Sequence, residues 1–378
     1  MMWSWGLLLC ALVACLIHSF FIRRMGLVTQ EFDKKSPPKD FHGENSAGVS
    51  VIVCAKNEAA RLDALIPKIL DQNYPEFELL IIDDHSQDNT SEILDFWQKK
   101  DSRLRYVPFT AAGTELAGKK AALSLGISRA SHEILLLTDA DCTPSSDQWI
   151  TQMTAPLKGH KTVVLGYGGY QKKPGLLNAL IRFETTLTAG LYLGQAMAGQ
   201  PYMGVGRNLA YRKDFFLAQN GFKSHEHIAS GDDDLLINHG ANATNTSVVL
   251  DPHAYTWSEP KDSWRSLFRQ KRRHLTTAHF YRNATKLFLG LYSGSIILFY
   301  LFALLLVFMK PFDVLVYAPL FILIFLRSAF LIAGLQPIFK KFQTTDLRFW
   351  IPLLEPLLIC LQLIIFVSNR LSKPTHWN

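Results

Sequence analysis

The apolar residues of this 378-residue chain are gathered at its two ends, and that segregation limits the folds open to it before any motif is considered. Residues 3–22, WSWGLLLCALVACLIHSFFI, run for about twenty positions without a formal charge, close to the length of a bilayer-spanning helix. A secretory leader is the rival, but no basic stretch precedes the run and no clear small-x-small site closes it. Arg23 and Arg24 follow directly, which fits an uncleaved anchor with its C-terminal side in the cytoplasm. Toward the other end, 287–309 and 312–334 are two further apolar spans, separated by Lys310 and Pro311. A helical span of roughly 23 residues reaches about 35 Å, enough to cross with some tilt. Residues 350–368 are apolar too but carry Pro352, Glu355 and Pro356, so crossing, lying at the interface and re-entering all stay open. A carboxylate at such a place faces protein or water. Lys340, Lys341 and Arg348 fit a cytoplasmic loop ahead of it, whereas Arg370 and Lys373 fit a full crossing less well.

The net charge of +7 is unevenly spread, much of it in WRSLFRQKRRH (264–274), just before the second membrane segment. A basic aromatic stretch there reads as a positive-inside anchor touching anionic lipid. No recognition motif accompanies it, so no nucleic-acid partner is expected. The five cysteines (Cys10, Cys15, Cys54, Cys142, Cys360) show neither CxxC nor Cys/His ligand spacing, which argues against a disulfide framework or a zinc site.

Between these ends the chain reads as a soluble α/β domain. After a linker-like stretch rich in Pro and Gly (31–48), a β-branched run begins VSVIVCAKNE (49–58). Apolar positions at helical spacing follow (Leu62, Leu65, Ile66, Ile69, Leu70), and Asn73-Tyr74-Pro75 stops them. FELLIIDDHSQDNT (77–90) opens as a second strand, 91–100 is helical, 104–109 is a third strand, 119–129 a helix and 133–141 a fourth strand. Strands alternating with helices predict a mostly parallel sheet covered on both faces. Ligands of such sheets bind beyond the carboxyl ends of the strands. Lys56-Asn57-Glu58, Asp83-Asp84 and Asp139-Ala140-Asp141 all fall at those ends, which makes a site of what would otherwise be three solvated turns.

Two glycine patterns are weaker signals. GTELAGKK (113–120) approaches a phosphate-binding loop, but Lys120 stands where a Ser or Thr hydroxyl would ligate Mg²⁺, and the loop follows the third strand rather than the first. GVGRNL (204–209) lacks the third glycine of a dinucleotide fingerprint and precedes no clear helix; a turn or close backbone approach to a ligand suits it better. Downstream, ASGDDDLLIN (229–238) crowds three carboxylates, which raise one another's pKa and can produce a general base. An acidic helix start is the plainer alternative. Gln270 and Arg273, one helical turn apart, share a face, and arginines there can clamp a diphosphate.

In this order and spacing, the motifs resemble those of the membrane-bound inverting glycosyltransferases of family 2, relatives of cellulose, chitin and hyaluronan synthases and of ceramide glucosyltransferase. The resemblance covers about residues 48–285 and the flanking membrane helices. It implies an α/β fold, a GT-A type nucleotide-sugar-binding domain with a mostly parallel mixed sheet and N- and C-terminal transmembrane helices. It also implies that Asp83 and Asp84 hold the uracil or ribose, with Asn57, Glu58 and Lys119 lining the nucleotide pocket. Asp139 and Asp141 would bind the donor diphosphate through Mg²⁺ or Mn²⁺. Asp233 would deprotonate the acceptor hydroxyl, with Asp232 in the place of a glutamate, and Gln270, Arg273 and His274 would stand at the diphosphate and acceptor. His274 replaces a tryptophan associated with gripping a growing polymer, which puts processive synthesis in doubt.

The expected organisation is an anchor at 1–24, a linker at 25–47, a cytoplasmic catalytic domain at 48–285 that includes a basic amphipathic segment at 261–282, and a membrane region at 286–378. The partners implied are a nucleotide-sugar donor, probably UDP-linked by the resemblance, a lipid-linked or glycan acceptor, and membrane lipids. Transfer to a polyprenyl phosphate is the rival chemistry, since that acceptor is already an anion and needs no base. A receptor or transport component with a nucleotide-binding domain is the rival outside catalysis.

Overall fold

A computed structural model describes residues 2–30, 47–109, 119–228, 230–309 and 313–372. The first elements are helix α1 (Met2–Gln30), strand β1 (Val49–Ala55), α2 (Ala59–Leu70), β2 (Phe77–Asp83), α3 (Thr90–Lys100), β3 (Leu104–Pro108), α4 (Lys119–Arg129) and β4 (Ile134–Asp139). Strands β1, β2 and β4 are buried along almost their whole length, which explains their unbroken apolar sequences. The sheet order is β3-β2-β1-β4, all parallel. Its register sets Cys54 beside Asp139 and Ala55 beside Asp83, so the expected polar clusters share one edge. Helix α2 turns Leu62, Leu65, Ile66, Ile69 and Leu70 inward, the five positions its period marks.

The chain then makes the short β5 (Cys142–Pro144), α5 (Trp149–Thr154), β6 (Val163–Leu165), β7 (Gly168–Tyr170), the 22-residue α6 (Leu176–Met197), β8 (Leu209–Arg212), α7 (Lys213–Ala218), α8 (Asp234–Gly240), β9 (Thr246–Val248), β10 (Thr256–Ser258) and α9 (Trp264–Leu275). Strands β8, β6 and β9 extend the main sheet to seven strands, with β8 antiparallel to β4 and to β6. A second sheet, β5-β10-β7, branches off where β4 ends. Three long helices complete the described chain: α10 (Asn283–Met309), α11 (Val314–Lys341) and α12 (Ile351–Leu371). With α1, four helices among the described residues are long and apolar enough to cross a membrane.

The long apolar helices are built into the core of the α/β domain rather than tethered to it. Phe21, Ile22, Met25 and Val28 of α1 and Leu331, Leu335, Ile338 and Phe339 of α11 join Ile52, Leu135 and Leu137 in one apolar cluster. Helix α1 therefore continues past Arg23-Arg24 to Gln30, six residues into the stretch expected as linker. Helix α6 is buried on nearly every face and lies against α1. At their closest approach Gly194 sits under the Arg24 carbonyl, where a β-carbon would collide with the backbone oxygen. Tyr167 stacks on Phe342 at 4.3 Å, and the Tyr255 hydroxyl donates to the Lys341 carbonyl at 3.1 Å. The residues expected as linker from 31 to 46, and residues 113–118 of the near phosphate loop, lie outside the described residues.

Candidate active site

Two loops at the sheet edge, after β1 and after β2, carry the residues expected to face a nucleotide. Asn57 sits in the left-handed region at φ 56°, its amide donating to Ser86 Oγ at 2.8 Å and its side chain accepting from Gln87 N at 2.7 Å. It thus ties the loop after β1 to the loop after β2. Glu58 pairs with Arg61 at 2.6 Å; burial raises its carboxyl and Arg61 opposes the rise. Asp83 accepts from Ser86 N at 3.1 Å, and Asp84 pairs with His85 Nδ1 at 2.9 Å. Both aspartates are buried.

Asp139 ends β4, and Asp141 follows one residue later at the start of the branch to β5. Lys119, the first residue of α4, places its Nζ 2.5 Å from Asp139 Oδ1 and 3.3 Å from Asp232 Oδ2. Burial alone would push this amine down, but the two carboxylates hold it well above its usual value. Asp141 is raised by burial and by Asp139, with Lys261 and Arg207 opposing. One ligand atom each from Asp139, Asp141 and Cys142 lies within 4.8 Å of the others. Burial, with Asp141 and Asp139 adding to it, pushes the Cys142 thiol well above its usual value, and its sulfur lies 2.9 Å from Ser258 Oγ. It therefore stays a neutral thiol, leaving two carboxylates as donors. Hard oxygens with open positions for water and phosphate suit Mg²⁺ or Mn²⁺.

The three consecutive acids have three different environments. Burial would raise Asp232, but Lys119 holds it below the usual carboxylate range. Asp233 is pushed up to about 7 by burial and by its neighbours Asp232 and Asp234, with Lys119 opposing. Its oxygens accept from Gly206 N at 2.6 Å and Asp234 N at 2.7 Å. Asp234 accepts from Thr277 Oγ1 at 2.5 Å and from the Tyr281 hydroxyl at 2.7 Å, so it fastens α8 to the segment after α9. Burial raises its carboxyl as well, against those two hydroxyls. One crowded cluster thus contains an ionised acid, an acid titrating near neutrality and a structural acid, which is how neighbouring carboxylates acquire separate tasks.

Gln270, Arg273 and His274 lie on α9, His274 exposed in its last turn and within electrostatic reach of Arg207 and Asp232. The adjacent Arg272 is turned away from the cleft, its Nε donating to Asn369 Oδ1 at 2.8 Å.

Several residues of the site carry no signal in the motifs. Arg207 lies beside Asp139 if the β4–β8 register is continued, and its carbonyl accepts from Thr138 and Thr256 hydroxyls at 3.0 Å each. Its guanidinium stacks 4.5 Å over Tyr170, and its charge acts on both Asp139 and Asp141. Gly206, just before it, brings bare backbone against the acids: a β-carbon there would sit 3.3 Å from Lys119 Nζ and 3.5 Å from Asp233 Oδ2. The GVGRNL stretch thus brings its backbone close to Lys119 and Asp233. Lys120 is buried, with Nζ donating to the His225 and Ile228 carbonyls at 2.6 and 2.8 Å, and burial brings its amine down to about 8. His225 is brought down to about 4 by burial and by Lys120, so at neutral pH it is uncharged. Its Nε2 faces the Gly231 carbonyl at 2.9 Å and so carries the proton. Together Lys120 and His225 brace the loop that presents Asp232 and Asp233.

Over part of its length the chain is similar to known glycosyltransferases. Residues 50–217, somewhat less than half of the chain, match the profile Glycosyl transferase family 2, and the α/β fold is GT-A-like. The chain is 25% identical over 266 residues to the poly-β-1,6-N-acetyl-D-glucosamine synthase of Staphylococcus epidermidis, a match covering 70% of this chain and 61% of that protein. It is 32% identical over 139 residues to the β-monoglucosyldiacylglycerol synthase of Trichormus variabilis, covering 36% of this chain and 28% of that one. Among solved structures, the mannosyltransferase PcManGT from Pyrobaculum calidifontis, in complex with GDP-Man and Mn²⁺, superposes with a TM-score of 0.60 at 16% identity. That likeness covers 97% of this chain and 100% of that chain.

Proposed function

We propose that this chain transfers a sugar from a nucleoside-diphosphate donor to a hydroxyl of a lipid-linked or glycan acceptor, with inversion at the anomeric carbon, at the cytoplasmic face of a membrane. The observation that carries the reading is the opposition of two acidic groups across Lys119: Asp139 and Asp141 on one side, Asp232 and Asp233 on the other. The nucleotide would lie along Asn57, Glu58, Asp83 and Asp84, which brings the diphosphate to the end of β4. Asp139 and Asp141 would hold Mg²⁺ or Mn²⁺, a choice supported by their oxygen donors and by Mn²⁺ in the complex of the mannosyltransferase. A bound divalent ion supplies Lewis-acid neutralisation of the departing diphosphate.

The chain's own residues do the rest. Asp233, titrating near neutrality, accepts the acceptor proton as the hydroxyl oxygen bonds to the anomeric carbon. The bond from that carbon to the diphosphate oxygen breaks, and the nucleoside diphosphate leaves from the opposite face. Lys119 keeps Asp139 and Asp232 at a fixed separation, while Arg207, Gln270 and Arg273 offer donors and positive charge to the diphosphate. His274 stands near the acceptor. The relatives named for making a polysaccharide and a glucosyldiacylglycerol support an acceptor delivered from the membrane. Incubating membranes that contain the protein with a panel of UDP- and GDP-sugars, and measuring label transferred to lipid or polymer, tests the reading. Absence of any nucleotide-sugar turnover would defeat it and favour a binding role.

A further inference from the structure

Helix α12 has the length and composition of a membrane span, yet both of its ends are fastened to the catalytic domain. Ahead of its first turn, Asp346 receives two hydrogen bonds from Arg182 of α6, each 2.8 Å, and pairs with Lys172 at 3.1 Å. Thr344 bonds to Thr186 of the same helix at 3.0 Å. At its last turn, Asn369 exchanges two hydrogen bonds of 2.8 Å with Arg272 of α9. Between those ends Ile351, Leu354 and Leu358 belong to the catalytic core cluster, and Leu361 packs on Tyr170, Ile181 and Leu267. A helix of 21 residues is about 31 Å long, so a crossing would carry Asn369 the full depth of the bilayer away from α9.

The buried charge on α12 marks the same level. Glu355 accepts from Arg327 of α11 at 2.5 and 2.9 Å and from Tyr300 of α10 at 2.7 Å, and Arg327 also bonds to His18 of α1 at 3.1 Å. Arg327 lies one turn before Leu331, and His18 three residues before Phe21, the points where α11 and α1 enter the catalytic core. The outer face of α12 (Leu353, Leu363, Ile364, Phe366, Val367) is exposed and apolar. Exposed Trp264, Phe349 and Trp350 and the exposed Arg265 and Arg269 stand nearby, the aromatic and basic composition of a headgroup boundary.

We propose that α12 does not cross: it lies in the plane of the leaflet beneath the catalytic domain, its outer face on lipid, and the described chain crosses the membrane three times, by α1, α10 and α11. An in-plane helix of this kind buries its apolar face about 5–10 Å into the leaflet.

Single cysteines distinguish the two arrangements, in full-length protein with the exposed Cys10 and Cys360 replaced by alanine. Lys99→Cys on α3 reports the catalytic side, and Val314→Cys at the start of α11 the opposite side. An impermeant maleimide applied to right-side-out and inverted vesicles should label Arg370→Cys and Ser372→Cys in the same preparation as Lys99→Cys, and Val314→Cys in the other. Labelling of 370 and 372 together with 314 overturns the proposal. If the cysteine variants fail to accumulate, protease access to a C-terminal epitope tag on the unaltered chain gives the same answer: cleavage from the catalytic side supports three crossings, and cleavage from the other side refutes them.

Discussion

Three neighbouring aspartates differ because their partners differ, and the difference predicts distinct variant behaviour. Asp233→Asn keeps the shape and one of the two backbone contacts, from Gly206 N or Asp234 N, but removes the basic oxygen. The expected loss in kcat is about 10²–10⁴-fold, the range of general-base catalysis, with donor affinity little changed. A near-normal rate would instead favour an acceptor that is already an anion. Because Asp233 titrates at about 7, kcat/KM for the unaltered enzyme should rise with pH through that value and then level, the active form being the deprotonated one. Arg207 supplies a second prediction. Arg207→Lys keeps the charge but loses the planar group stacked on Tyr170, and should weaken donor binding, read as a higher Kd in titration with the nucleotide sugar. Unchanged donor affinity would remove Arg207 from the diphosphate site. The acidic motifs were legible because crowded carboxylates are improbable at strand ends without a counter-charge. Arg207 was not, because a single basic residue after a glycine resembles any turn.

Among the elements, β1 to β4 and α2 to α4 emerge from periodicity to within a residue or two, since long apolar strands and amphipathic helices have enough positions to display a period. The second half did not. Strands β5, β6, β7, β9 and β10 are three residues each, too short for alternation, and β8 is four. Helix α6 hid for the opposite reason: burial on nearly all sides leaves no polar stripe to mark its phase. Its seam with α1 is testable. Gly194→Ala sets a β-carbon against the Arg24 backbone, and should destabilise the detergent-solubilised protein by about 1–3 kcal/mol, the usual range for overpacking. An unshifted unfolding midpoint would mean that the two helices have room to part.

At the scale of the molecule, the apolar ends announced a membrane protein, but not that α1 and α11 would continue into the catalytic core. Only the packing reveals that continuity, because Met25, Val28, Leu335 and Ile338 read equally well as the ends of spans. If the apolar helices cross and the proposed transfer holds, the cleft is held rigidly beside the lipid, with Asp234 bonded to the segment that leads into α10. The lipid-linked acceptor proposed above would then meet Asp233 without the domain having to swing toward the membrane. Sugar transfer from a nucleotide donor, assisted by a divalent ion at Asp139 and Asp141, is the central proposal. Its most direct test is label transfer from nucleotide sugar by membranes containing the unaltered chain or Asp141→Ala, each assayed with EDTA and then with Mg²⁺ or Mn²⁺ restored. Transfer that vanishes in EDTA, returns with the metal and is absent in Asp141→Ala at equal protein level is the predicted result; full turnover in EDTA, or in the Asp141→Ala variant, contradicts it.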